Sequence, residues 1–228
     1  LLRKSPEGGY IPDLAEKYEI SPDGLTYTFT LRDKIYFHDG TPITTDDIEF
    51  TVLKAKDPNL KSPKRPNWEG VSVQKTDRET VSFTLKQPYA QFLENATLGV
   101  LPKNIWKDVP VEQFNFSDFN LKGIGSGPYK VDSVDKNNAG IPISINLSSF
   151  KKFALGRPYT DEIKLNFYGN EEELVGAFKS GEVDGINAIS PKEASSLKER
   201  GALIKQYPLP RVYGVFFNQS HAPVLTEI

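Results

Sequence analysis

A chain of 228 residues with 25% charged residues and a formal net charge of −2 is long enough to bury a real core, as one large domain or two small ones. That balance excludes the basic excess on which nucleic-acid binding depends, and no run of ~18 apolar residues is present to span a membrane. With no cysteine, disulfides, thiolate metal sites and a cysteine nucleophile are excluded from these residues.

Residues 1–12 read as an extended lead-in, and the opening Leu1-Leu2-Arg3, without an initiator Met, reads as the start of an excised piece. Ser21-Pro22-Asp23-Gly24 is turn chemistry, because Pro fixes φ and Gly is free to take positive φ. Leu25, Tyr27, Phe29 and Leu31 then alternate with Thr26, Thr28, Thr30 and Arg32, the period of a strand with one buried face. His38-Asp39-Gly40-Thr41 turns the chain again. Thr44 is placed to cap a helix whose first turn carries Asp46 and Asp47, where carboxylates favour the positive end of the dipole. Ile48, Val52 and Ala55 follow at helical spacing; Ile48, Phe50 and Val52 also alternate, and the cap decides for helix.

Further on, Pro58 to Pro66 carries three prolines among Lys and Arg, an exposed basic loop or, as the alternative, a patch for an anionic ligand. Val71 and Val73, then Val81, Phe83 and Leu85, predict a hairpin around residues 76–79. Short helical turns follow from Pro88 (Phe92, Leu93, Ala96) and from Pro102 to Trp106, with the apolar run Leu98–Leu101 between them. Residues 109–120 read as loop. The Gly123–Tyr129 stretch has neither the Lys-Ser/Thr of a P-loop nor the dinucleotide fingerprint, so it reads as a tight turn into a strand at residues 129–134. Ile141, Ile143, Ile145 and Leu147 form the return strand.

From Ile163 the expected order is βαβαβ. Strands lie at residues 163–167, 183–187 and 202–207. One helix is capped by Asn170 with Glu173 and ends near Gly181; a second starts at Ser190-Pro191 and ends near Gly201. Such spacing implies parallel strands with crossover helices. The order places any ligand beyond the carboxyl ends of those strands, at residues 167–170, 187–190 and 207–210.

Enzymatic readings find little support. His38 beside Asp39 has only His221 as a second histidine in the chain, Asp46 and Asp47 point about 100° apart on a helix, and neither G-x-S-x-G nor H-E-x-x-H occurs. A glycosidase- or peptidase-type hydrolase is the enzyme-class alternative. A non-transport interaction domain is another.

The blocks P-D-L-A-E (12–16), S-P-D-G-L-T-Y-T-F-T-L-R (21–32) and F-H-D-G-T-P-I-T-T-D-D-I (37–48) resemble the extracellular solute-binding proteins, family 5, receptors of ABC importers. G-S-G-P-Y (125–129) is similar to that family's G-T-G-P-Y motif with Ser126 as the variant position, and G-R-P-Y-T-D-E-I-K (156–164) and G-E-V-D (181–184) also match. The resemblance implies an α/β, type II periplasmic-binding-protein-like lobe: a mixed sheet with βαβ units plus an inserted antiparallel β-rich subdomain. It divides the chain into a β-rich part at 1–122, an α/β part at 123–218 and a crossover at 219–228 toward a second lobe. It further implies a non-enzymatic receptor, without cofactor, that closes two lobes on a small solute and docks on permease subunits. Oligopeptide is the leading solute, with an oligosaccharide or nickel chelate as the alternative. The receptor is expected outside the cytoplasm, in a periplasm or lipid-anchored, as a monomer that contacts no nucleic acid. The candidate cleft is Leu98 and Gly99, the Gly125-Ser126-Gly127 loop, and Asn187, Ile189 and Ser190. Core packing is the alternative for Ile189, and capping alone for Ser190. Tyr213 and Asn218 flank the expected hinge.

Overall fold

A computed structural model describes residues 1–206; the expected strand end at 207–210 and the hinge residues Tyr213 and Asn218 lie outside them. The chain divides into two compact units, the first being Leu1–Phe167 and the second starting at Tyr168.

In the first unit, strand β1 (Leu2–Lys4) pairs with β2 (Tyr10–Pro12), so the expected lead-in is a hairpin. Strands β3 (Ala15–Ile20) and β4 (Thr26–Leu31) flank the Ser21–Gly24 turn, in which Gly24 takes φ +70° and its amide donates to the Ser21 carbonyl. After helices α1 (Thr45–Lys56) and α2 (Arg65–Trp68), strands β5 (Ser72–Lys75) and β6 (Thr80–Thr84) form the predicted second hairpin. The four strands make one antiparallel sheet in the order β3-β4-β6-β5.

The alternation in β4 is what builds the core. Tyr27, Phe29 and Leu31 are buried, and the register sets Tyr27 opposite Phe83 and Phe29 opposite Val81. Phe83 sits in an aromatic cluster with Trp68 (5.5 Å), Phe29 (5.7 Å) and Phe92 (5.8 Å), all in tilted or edge-on geometries that suit ring quadrupoles. Ile48 and Val52 of α1 join the same core, so the helical reading of that segment holds. Two short helices complete this part, α3 (Phe92–Asn95) and α4 (Lys103–Trp106), and the expected loop at 109–120 contains two 3-10 turns.

Downstream, β7 (Tyr129–Lys136), β8 (Pro142–Ser149) and β9 (Glu162–Asn166) form a three-stranded sheet in that order. Here the sequence reading needs correction. Strand β9 pairs antiparallel with β8, Leu147 opposite Ile163 and Ile145 opposite Leu165. It therefore does not open a parallel βαβαβ set, and every strand pair among the described residues is antiparallel. The α/β class stands, but its sheets are antiparallel.

The second unit contains α5 (Glu171–Ser180) and α6 (Pro191–Glu199), both close to their predicted limits. No strand forms at residues 183–187 or 202–206. The physical reason is local. Asp184 and Gly185 are poor strand residues, only Val183 and Ile186 of that run are partly buried, and Ala188 at φ +61° ends any extended stretch.

Candidate solute-binding wall

Helix α1 carries polar side chains on a buried face, and those side chains shape the candidate wall in the first unit. Asp47 is nearly buried. Its Oδ2 accepts from the Thr44 amide at 3.0 Å and the Thr44 hydroxyl at 3.2 Å, which closes the helix N-terminus. Its Oδ1 accepts from the Lys103 amide at 2.9 Å, the first residue of α4. One turn along, the Thr51 hydroxyl donates to the Asp47 carbonyl at 2.7 Å and accepts from the Leu101 amide at 2.9 Å. Two side chains of α1 therefore hold the backbone from Leu101 to Lys103, and they fix the Leu98–Leu101 run that precedes it.

Against that run lies a groove of about 430 Å³. Its lining includes Leu98 and Gly99, Thr51 and Lys54 of α1, and Leu60, Lys61 and Phe114. The volume is in the range of small-ligand sites, and the lining is mostly apolar with a few polar groups, as such sites are. Lys54 lies with its Nζ 5.6 Å from the Phe50 ring centre and 5.4 Å from that of Phe114. Leu98 and Gly99 were legible in the sequence as candidates. Thr51, Lys54, Leu60 and Phe114 were not, although the basic Pro58–Pro66 loop, which contributes Lys61, Ser62 and Pro63, carried a signal.

The Gly125-Ser126-Gly127 loop is not among the residues lining this groove. It docks instead on the His38 turn. The His38 amide donates to the Gly125 carbonyl at 2.8 Å, and the Gly125 amide donates back to His38 Nδ1 at 3.2 Å. Nδ1 is therefore bare, so the proton is on Nε2, which donates to the Gly127 carbonyl at 3.1 Å. Phe150 packs edge-on to the imidazole at 5.1 Å. Burial pushes the His38 pKa below its ordinary value, an effect the Gly127 carbonyl partly opposes. The close backbone approach expected of the Gly-rich turn is thus an approach to His38. A Cβ on Gly125 would come within 3.6 Å of the imidazole Cε1.

In the second unit, Ser190 caps α6. Its hydroxyl accepts from the Glu193 amide at 3.4 Å as the α6 cap, and its amide donates to the Glu171 carboxylate. Asn187 is exposed, its Oδ1 accepting from the Ala188 amide at 2.8 Å, and Ile189 is half-buried. The acidic pair suspected of chemistry is likewise structural. Asp47 braces helix ends, while the Lys75 ammonium beside Asp46 holds that carboxyl below the usual range. Among the described residues no cluster of His, Asp and Glu is arranged to hold a metal, and no helix is long and apolar enough to cross a membrane.

The sequence model for bacterial extracellular solute-binding proteins, family 5 Middle, matches residues 9–226. The chain belongs to this family. The family-5 chain is 30% identical to the oligopeptide-binding protein AppA of Bacillus subtilis over 76% of its own length and 32% of AppA's. It thus spans about a third of the curated relatives it matches. Among solved structures, NikZ from Campylobacter jejuni in complex with Ni(L-His) is similar at 30% identity and TM-score 0.72, over 81% of this chain and 36% of NikZ. AgaA from A. tumefaciens R10, in complex with agropinic acid, is similar at 29% identity and TM-score 0.77, over 87% of this chain and 39% of AgaA. These neighbours carry the type II fold of the family, as the resemblance implied, and the family is a class of solute-binding receptors.

Proposed function

We propose that this chain is part of the substrate-binding component of an ABC importer and that its solute is an oligopeptide. The observation that carries the reading is the braced groove at Leu98–Gly99 in a family-5 chain: a preformed, mostly apolar recess whose backbone wall is fixed by Asp47 and Thr51. Peptide leads because AppA, an oligopeptide-binding protein, matches three quarters of this chain (76%). The NikZ and AgaA likenesses support a second reading, a metal chelate or a small organic acid, through the same receptor class.

In this proposal the protein acts outside the cytoplasm, in a periplasm or anchored by lipid to the outer face of the membrane. It is a monomer that closes on its solute and then docks on permease subunits, and it catalyses no reaction. Hinge closure around ligand is how binding proteins of this type sequester a solute. Leu98 and Gly99 are the first candidate contacts. The Gly125-Ser126-Gly127 loop is a further candidate along the rim, and Asn187, Ile189 and Ser190 are the candidates of the second unit. Tyr213 and Asn218 are proposed as hinge residues. Native mass spectrometry of the gently purified full-length gene product tests the reading directly. A ladder of masses that fragment into short peptides is expected. A single chelate or sugar mass would replace the substrate, and a protein that is empty and ignores peptide and sugar libraries would overturn the receptor assignment.

A further inference from the structure

The groove beside Leu98 has an uneven charge. Two lysines, Lys54 and Lys61, stand among its lining residues and no carboxylate does. Some cations of the same unit do pair with acids: Lys75 with Asp46 and Glu49, and Lys4 with Glu94. Neither Lys54 nor Lys61 has an acidic partner among the described residues. The nearest acid in sequence, Asp57, spends its carboxylate on the Asn59 amide at 2.8 Å. The Lys54 ammonium is held near two aromatic rings, a setting that places a cation without neutralising it. Lys61 sits at φ +49°, a left-handed conformation uncommon for a non-glycine residue, immediately after the buried Leu60. The next two cations, Lys64 and Arg65, are exposed where that loop enters α2.

We propose that this groove receives an acidic side chain of the bound peptide, so that the receptor prefers peptides carrying Asp or Glu next to an apolar residue. The inference rests on the peptide reading above. The acidic group meets Lys54 and Lys61, and the apolar neighbour lies against Leu60, Leu98 and Phe114. Lys54, half-buried beside two rings, forms a stronger bond to carboxylate than to amide because that bond is charge-assisted and fewer waters compete, and the exposed Lys61 adds a second positive charge. The basic loop is then more than a solvated surface: it is one wall of a selective site.

Calorimetric titration of the full-length gene product with Ala-Glu-Leu-Ala, Ala-Gln-Leu-Ala and Ala-Lys-Leu-Ala tests this. The Glu peptide should bind about tenfold or more tighter than the Gln peptide, and the Lys peptide weakest. That preference should shrink with added salt. The double variant Lys54→Gln/Lys61→Gln should bind the Glu and Gln peptides equally, with its melting temperature unchanged. Equal binding of Glu and Gln peptides by the unaltered protein overturns the inference while leaving the peptide reading intact. A Glu preference that survives in the double variant overturns the placement. If none of the three peptides binds, both the inference and the peptide reading fall.

Discussion

The Thr51 hydroxyl accepts the Leu101 amide hydrogen across 2.9 Å while giving its own hydrogen to the Asp47 carbonyl, so one side chain joins helix α1 to the wall of the groove. Thr51 is buried. Thr51→Val keeps the shape but leaves the Leu101 amide without an acceptor. That should cost about 1–3 kcal/mol in urea unfolding, whereas Thr51→Ser should cost less than half as much. If Val is as stable as Thr, the bond does not hold the wall.

Asp47 is the stronger brace, because it is charged and accepts three hydrogen bonds from two segments. Asp47→Ala should destabilise by about 2–4 kcal/mol, since the Lys103 amide and the α1 N-terminus both lose their acceptor. Asp47→Asn retains acceptor capacity without the charge and should recover about half of that loss. Circular dichroism melts of the three proteins measure the order, and an Asn variant no better than Ala would show that the charge itself is indispensable.

These two residues also show where the sequence stopped being informative. Asp47 was legible as a first-turn carboxylate because capping is a local rule that four residues suffice to state. Its bond to Lys103 spans 56 positions, and no periodicity encodes it. The strand at β4 was legible because one face is buried and the alternation is strict. Strand β3 was missed because Ala15–Ile20 is mostly exposed, with only Ala15 fully buried, so it has little alternation to show. The parallel βαβαβ reading failed for a related reason. Helix caps at Asn170 and Ser190 are local and came out right, whereas the direction in which β9 pairs is set by its neighbour β8. Of the groove, Leu98 and Gly99 stood out in the sequence, whereas Lys54 lay inside the α1 pattern and Lys61 inside a loop read as solvated, with an anion-binding patch as its alternative.

The Gly125–Gly127 loop gives a pH dependence whose sign is fixed by geometry. His38 must keep Nδ1 bare to accept from Gly125, and burial already lowers its pKa from the ordinary 6.5. As pH falls through about 6.5 the unfolded chain takes up a proton that the folded chain refuses. Stability from this site is therefore full above that pH and declines as pH falls toward the lower folded value. His38→Asn keeps an acceptor for Gly125 and does not titrate, so its unfolding midpoint should change less than that of the unaltered protein between about pH 7.5 and 5.5. Parallel curves for the two proteins would remove His38 as the cause.

The aromatic cluster makes a simpler prediction. Phe83 is fully buried among Phe29, Trp68 and Phe92, so Phe83→Ala removes a ring that neighbouring rings cannot fill by small shifts. A loss of about 3–5 kcal/mol is expected by denaturant unfolding, with Phe83→Leu costing less than half of it. Equal losses for Ala and Leu would point to ring-specific contacts over filled volume.

The two helix caps of the second unit separate a structural role from a ligand-binding one. Asn170 accepts from the Glu173 amide at 2.9 Å, and its own side-chain NH₂ donates to the Glu173 carboxylate at 2.8 Å, so the cap is closed from both sides. Ser190 makes the longer 3.4 Å bond. Asn170→Ala should therefore cost about 1–2 kcal/mol and Ser190→Ala no more than about 1 kcal/mol. If the Ser190 hydroxyl serves only as the cap acceptor, Ser190→Ala should also leave peptide affinity within about twofold, a change below 0.5 kcal/mol. A Ser190→Ala protein of normal stability that has lost peptide binding would make that hydroxyl a ligand contact, with capping as its secondary role.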